Sequence, residues 1–121
     1  MIIAIPADRA DENSSICISY GRTLFFALYD SDTKKVTFLS NSANAAAGGA
    51  GIKASQMLID NGVTDVITPR LGENAAMVLN AAGIKIYRAE IGGLMPNIQA
   101  LLDGKLQFLT NIHKGFHGRN N

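Results

Sequence analysis

Residues 62–88, GVTDVITPRLGENAAMVLNAAGIKIYR, hold two β-rich runs with a helical run between them, and that alternation decides the fold. Asp65-Val66-Ile67-Thr68 and Ile84-Lys85-Ile86-Tyr87 are short and rich in β-branched and aromatic residues, which predicts strands. Between them, Glu73 to Ala82 carries apolar residues at helical spacing and stops at Gly83, where a positive φ closes a helix at no steric cost. Gly62, Gly83 and Gly104 lie 21 residues apart, and each ends a helical segment: Ile52 to Asn61, Glu73 to Ala82, and Pro96 to Asp103. So short and brief a period does not make a solenoid, and it predicts ordinary βα alternation.

Toward the N-terminus, Ile2 to Ile5 read as a strand that starts at once. Leu24 to Tyr29 and Val36 to Leu39 flank the polar turn Asp30 to Lys35, the pattern of an antiparallel hairpin. Together these elements predict an α/β domain of three layers. Its five-stranded mixed sheet has three antiparallel strands followed by two βα units, flanked by helices, because parallel strands need crossovers that cover the sheet. Ligands of such sheets gather at the carboxyl ends of strands, here the loops Pro6 to Ser14, Pro69 to Glu73 and Ala89 to Met95.

The bulk numbers narrow the classes. A chain of 121 residues suits one domain, expected here as a folded body over 1–109 and a flexible tail over 110–121 that contains Gly115 and Gly118. With 47% hydrophobic and 17% charged residues it reads as compact and ordered. No apolar run approaches the roughly 20 residues of a membrane helix, and the N-terminus lacks a secretion signal, so a cytoplasmic protein without a membrane partner is expected. The single cysteine excludes an intramolecular disulfide, and a net charge of +1 offers no footprint for nucleic acid.

The chemistry concentrates in Asn44 to Ser55, where small residues including Gly48, Gly49 and Gly51 run into a helix. Glycine lets backbone approach a ligand, and the first amides of a helix have no intrahelical partner and lie at the positive end of its dipole. An anion is the natural guest, although the same residues also serve a tight connection. Gly49-x-Gly51-x-x-Ala54 matches a relaxed dinucleotide fingerprint, but no strand precedes it and no second mononucleotide half follows, so no nucleotide is expected. Asp8, Asp30, Asp65 and Glu73 read as solvated charge. The scattered serines, with His113 and His117 outside the folded body, give no nucleophile and base, so no enzymatic activity is expected.

Cys17, His113 and His117 are the chain's thiol and imidazoles and suit iron, zinc or copper, though none stands in a CxxC or HExxH pattern. Cys17, within Ile16-Cys17-Ile18, also reads as a small buried hydrophobe. Met57, Met77 and Met95 read as packing residues of core or rim.

The ordered set Ser19-Tyr20-Gly21-Arg22, Leu24 to Asp30, Ala45 to Ile52, Gly62-Val63-x-Asp65-Val66-Ile67, Leu71-Gly72-Glu73-Asn74-Ala75 and Ala82 to Tyr87 resembles the dinitrogenase iron-molybdenum cofactor biosynthesis family over nearly the whole chain. This is the NifX-like domain, found also at the C-terminus of NifB-type proteins. The resemblance implies a ribonuclease H-like α/β fold without nuclease residues. It implies noncatalytic binding or carriage of an anionic iron-sulfur or iron-molybdenum type cluster, held transiently, with cofactor-assembly proteins as partners. Gly21, Arg22, Gly48, Gly49, Gly51, Arg70, Gly72 and Asn74 are then the expected cofactor-binding positions. Family members often carry histidine where this chain has Ser19 and Gly48 or Gly49, which leaves Cys17, two residues before Ser19, as a candidate substitute ligand and His113 and His117, in a tail able to close over the cluster, as its candidate complement. The alternative is an interaction or regulatory module of the same fold that binds a protein partner or a small anion.

Overall fold

The computed structural model describes residues 1–110 and 112, so His113 and His117 lie outside the described residues. In chain order the elements are β1 (Ile2–Ala7), β2 (Phe25–Asp30), β3 (Lys35–Ser40), α1 (Ala50–Asp60), β4 (Asp65–Thr68), α2 (Glu73–Ala81), β5 (Lys85–Arg88) and α3 (Leu94–Leu102). The five strands form one sheet in the order β3-β2-β1-β4-β5. The β1–β2 and β2–β3 pairs are antiparallel, and β1–β4 and β4–β5 are parallel, which is the mixed sheet expected from the alternation.

Alternation along β1 builds the two outer layers. Ile3, Ile5 and Ala7 enter one core with Ile67 and the α3 residues Leu94, Ile98 and Leu101. Ala4 enters the other with Val66, the α1 residues Ala54 and Leu58 and the α2 residues Ala75 and Leu79. Successive strand residues point to opposite faces, so a strand that is apolar throughout is the one covered on both sides. The helix-closing glycines behave as their spacing predicts, with φ of 76° at Gly62, 76° at Gly83 and 72° at Gly104.

Several boundaries move. β1 runs on through Pro6 and Ala7 instead of entering a loop, because they pair with Phe26 and Phe25 of β2 and partners outside the ladder also hold the strand's end. The Cys17 N–H donates to the Pro6 carbonyl at 2.9 Å and the Thr23 hydroxyl to the Ala7 carbonyl at 2.9 Å. Helix α1 starts at Ala50, two residues before Ile52, and α3 starts at Leu94, which removes Leu94 and Met95 from the expected rim loop. Pro96 falls in the first turn of α3, where a missing N–H leaves no helical bond unmade. Arg88 joins β5, and the chain beyond α3 returns along that strand: the Arg88 N–H donates to Gln107 at 2.9 Å and the Leu109 N–H to Ile86 at 3.0 Å. Phe108 stacks on Tyr87 with ring centroids 5.0 Å apart.

Asn41, only 3% exposed, ties the two connections that border the site. Its side-chain amide donates to the carbonyls of Gly21 (3.0 Å) and Thr23 (2.9 Å), and its oxygen accepts from the Ala43 N–H (3.1 Å). Asn41→Ala leaves all three groups without this partner, two of the bonds being buried, and is expected to cost about 2–3 kcal/mol. Urea unfolding monitored by circular dichroism measures the loss, and a change below about 0.5 kcal/mol would contradict the assigned role.

Candidate functional site

The first turns of α1 and α2 come together because small residues let their backbones touch. A Cβ at Gly51 would stand 3.2 Å from the Cβ of Ala75, and one at Gly21 would stand 2.8 Å from the backbone nitrogen of Gly51. Residues 18–22, 49–52 and 70–75 thereby enclose an open cleft of about 400 Å³. Seven of the sequence-predicted positions line it: Gly21, Arg22, Gly49, Gly51, Arg70, Gly72 and Asn74. Gly48 and Cys17 do not.

The first intrahelical bonds run from the Lys53 N–H to Gly49 (3.0 Å) and from the Ala76 N–H to Gly72 (3.0 Å). The amides of Ala50, Gly51 and Ile52 in α1, and of Glu73, Asn74 and Ala75 in α2, precede those bonds. Neither helix has a side-chain cap, and among the described residues these six amides have no protein acceptor. Two helix dipoles thus present their positive ends to one space. Gly49 takes the left-handed conformation (φ 68°) that starts α1. Gly48 has open space around it, and Gly72 is extended (φ −78°, ψ 155°), so neither requires glycine for its conformation.

The arginines differ. Arg22 donates from one Nη to the carbonyls of Asn44 (3.0 Å) and Ala46 (2.7 Å), strapping the loop before α1. Arg70 is exposed, and its guanidinium has no acidic or hydrogen-bonding partner among the described residues.

Sequence reasoning missed the residues that brace the cleft. Tyr20 is 4% exposed and packs edge-on to Phe26 at 5.3 Å. The Ser55 hydroxyl donates to the Gly51 carbonyl at 2.8 Å, so in the 2.9 Å contact between Tyr20 and Ser55 the phenol is the donor. Burial pushes the Tyr20 phenol far above its ordinary range, and the hydrogen bond to Ser55 offsets part of that. The four-residue spacing of Gly51 and Ser55 on one helix face was the readable signal.

Cys17 is half-buried, not a core residue, because residues 16–18 leave the sheet after one bridge between Ala7 and Ile16. Its thiol faces the Ser19 carbonyl at 3.6 Å. Among the described residues no group of three or more His, Cys, Asp or Glu is placed to hold a metal ion. Ile112 lies beside Asn80 and Ile84, at the far end of α2 from the cleft. Met57 and Met95 are half-buried, whereas Met77 is 67% exposed on α2 and does not pack as expected.

A mixed α/β sheet carrying a cleft of helix amides and guanidinium groups defines a small domain suited to receive a negatively charged group. The model of the family described as dinitrogenase iron-molybdenum cofactor matches residues 1–104, and the chain belongs to that family. The apo form of the orange protein from Desulfovibrio gigas is similar, with 28% identity over 90% of this chain and 92% of that one and a TM-score of 0.85. A Thermotoga protein bearing a provisional NifB name shares 35% identity over 93% of this chain and 96% of its own, with a TM-score of 0.80. A protein from Methanocaldococcus jannaschii, provisionally named a dinitrogenase, shares the fold at 21% identity, covering 92% of this chain and 96% of that one with a TM-score of 0.67. No curated protein matches the chain.

The backbone contacts order the glycine substitutions. Gly48→Ala is expected to be near neutral, Gly49→Ala to cost about 1–2 kcal/mol, and Gly21→Ala to cost more, because its Cβ meets backbone that cannot yield. Urea midpoints measure the series, and equal losses at Gly48 and Gly21 would contradict the geometry. Tyr20 keeps its proton in the fold after the unfolded phenol has lost its own near pH 10. Its contribution is therefore whole below about pH 10 and declines above it, so the stability gap between wild type and Tyr20→Phe should narrow above that pH. Unfolding curves at a series of alkaline pH values test this, and a gap that widens would contradict it.

Proposed function

We propose that the chain holds and carries an anionic iron-sulfur or iron-molybdenum type cluster as cargo, without chemistry on it, in the cleft between α1 and α2. The observation that supports this reading is the convergence of six amides and Arg70, all without partners among the described residues, in one space of about 400 Å³, within the range of small-molecule sites. The donor set decides the kind of guest. Among the described residues the cleft lining holds no cysteine, histidine or methionine, so these residues suit a cluster whose metals already have their ligands and whose surface atoms accept hydrogen bonds. A bare metal ion would find too few ligands there. Cys17, His113 and His117 are at most added ligands, and binding does not depend on them. No nucleotide is needed.

The working unit of this proposal is a carrier domain of residues 1–109 with 110–121 as a tail. Its partners are cofactor-assembly proteins of the cytoplasm. None of the described helices is long and apolar enough to cross a membrane. A second reading, a module that binds a protein partner without a cluster, is favoured by Ile18 and Ile52, which are 64% and 41% exposed at the cleft.

Anaerobic incubation with a synthetic dianionic four-iron thiolate cluster, followed by removal of the unbound fraction and measurement of iron and visible absorption, tests the two readings. Wild type and a Cys17→Ala, His113→Ala, His117→Ala variant are both expected to retain cluster, and Arg70→Gln to bind roughly tenfold more weakly, as for loss of a charge-assisted contact. Loss in the triple variant alone would move the holding role to the soft ligands. Absence of retention in every protein would overturn carriage and leave the partner-binding reading.

A further inference from the structure

Among the described residues lining the cleft Glu73 is the one acid, against the two arginines Arg22 and Arg70. It opens α2 and is exposed, and among the described residues its carboxylate has neither a hydrogen-bond donor nor a cation within pairing distance. Even Arg70, three residues earlier on the same wall, does not pair with it. Two other acids do pair with a nearby base, Asp11 with Arg9 at 3.2 Å and Glu90 with Arg88 at 3.9 Å.

A carboxylate in the first turn of a helix is stabilised by the positive end of the dipole. In α2 that end is also half of the field offered to an incoming anion. Glu73 therefore acts with opposite sign on two quantities, strengthening the helix and opposing the guest.

We infer that Glu73 is the release determinant of the cleft, a residue that keeps anionic cargo from binding too tightly to be handed on. The inference rests on the reading that the cleft holds an anion. A carrier has to give up its load, and one fixed negative charge beside the load lowers affinity without removing any contact that orients it. The repulsion acts at the rim of an open cleft, so salt screens it.

The test measures equilibrium dialysis of the same synthetic dianionic four-iron thiolate cluster against the full chain, anaerobically, for wild type, Glu73→Gln, Glu73→Lys and Arg70→Gln, with thermal unfolding of each. Glu73→Gln is expected to bind about three- to tenfold more tightly and Glu73→Lys more tightly still, while both unfold at lower temperature. The affinity gap should shrink as salt rises from about 0.05 M to about 0.5 M. A residue that merely starts a helix would lower the unfolding temperature and leave affinity unchanged or weakened, which overturns the inference. If Arg70→Gln weakens binding while the Glu73 variants leave it unchanged, the inference fails and the cleft reading stands. If none of the substitutions alters binding, the cleft reading falls and the inference with it.

Discussion

Everything at the site depends on one close approach of backbones. Gly21, Gly51 and Ala75 come from three separate segments, and a methyl group at either glycine would meet its neighbour within 3.2 Å or less. With larger side chains at these positions the first turns of α1 and α2 would separate, and the six free amides would face different regions of solvent. The contact costs little elsewhere, because the hydrophobic cores on the two faces of the sheet already fix the helix axes. Asn41, Arg22 and the Tyr20–Ser55 pair then hold the flanking loops against that junction.

The same geometry sets the electrostatics. Uncapped helix starts are usually satisfied by a side chain or by water. Here glycine stands at the N-cap of both helices, so the amides stay available in a fixed arrangement before any guest arrives. A preformed set of donors loses less entropy on binding than one assembled by the ligand. Among the described residues the lining has no cysteine, histidine or methionine, so the groups it offers a guest are amides and guanidinium groups.

Much of the fold was legible in local signals. The helix-closing glycines and the strand at Asp65 to Thr68 follow from backbone conformation and residue type, which act over a few residues. The glycine-rich start of α1 was legible for the same reason. What escaped depended on partners far along the chain. Pro6 stays in β1 because it pairs opposite Phe26 of β2 while Cys17 and Thr23 hold the strand's end, and residues 107–109 pair with β5 although nothing local marks them as extended. Arg22 lines the cleft, but its bonds to two carbonyls of the 44–46 loop had no local signal, and Tyr20 became visible as a brace only when Ser55 lay beside it. Gly48 shows the converse: a glycine inside a glycine-rich run that, among the described residues, neither lines the cleft nor meets a neighbour within 4 Å.

The central claim is that the two helix starts act as one receptor for an anionic cluster. Its most direct test is an amide-resolved nitrogen–proton spectrum of the chain recorded with and without the dianionic four-iron cluster. The account predicts that the signals of Ala50, Gly51, Ile52, Glu73, Asn74 and Ala75 shift or broaden together at one stoichiometric end point. Changes confined to the Asn80–Lys85 end of α2, or to only one of the two helix starts, would contradict it.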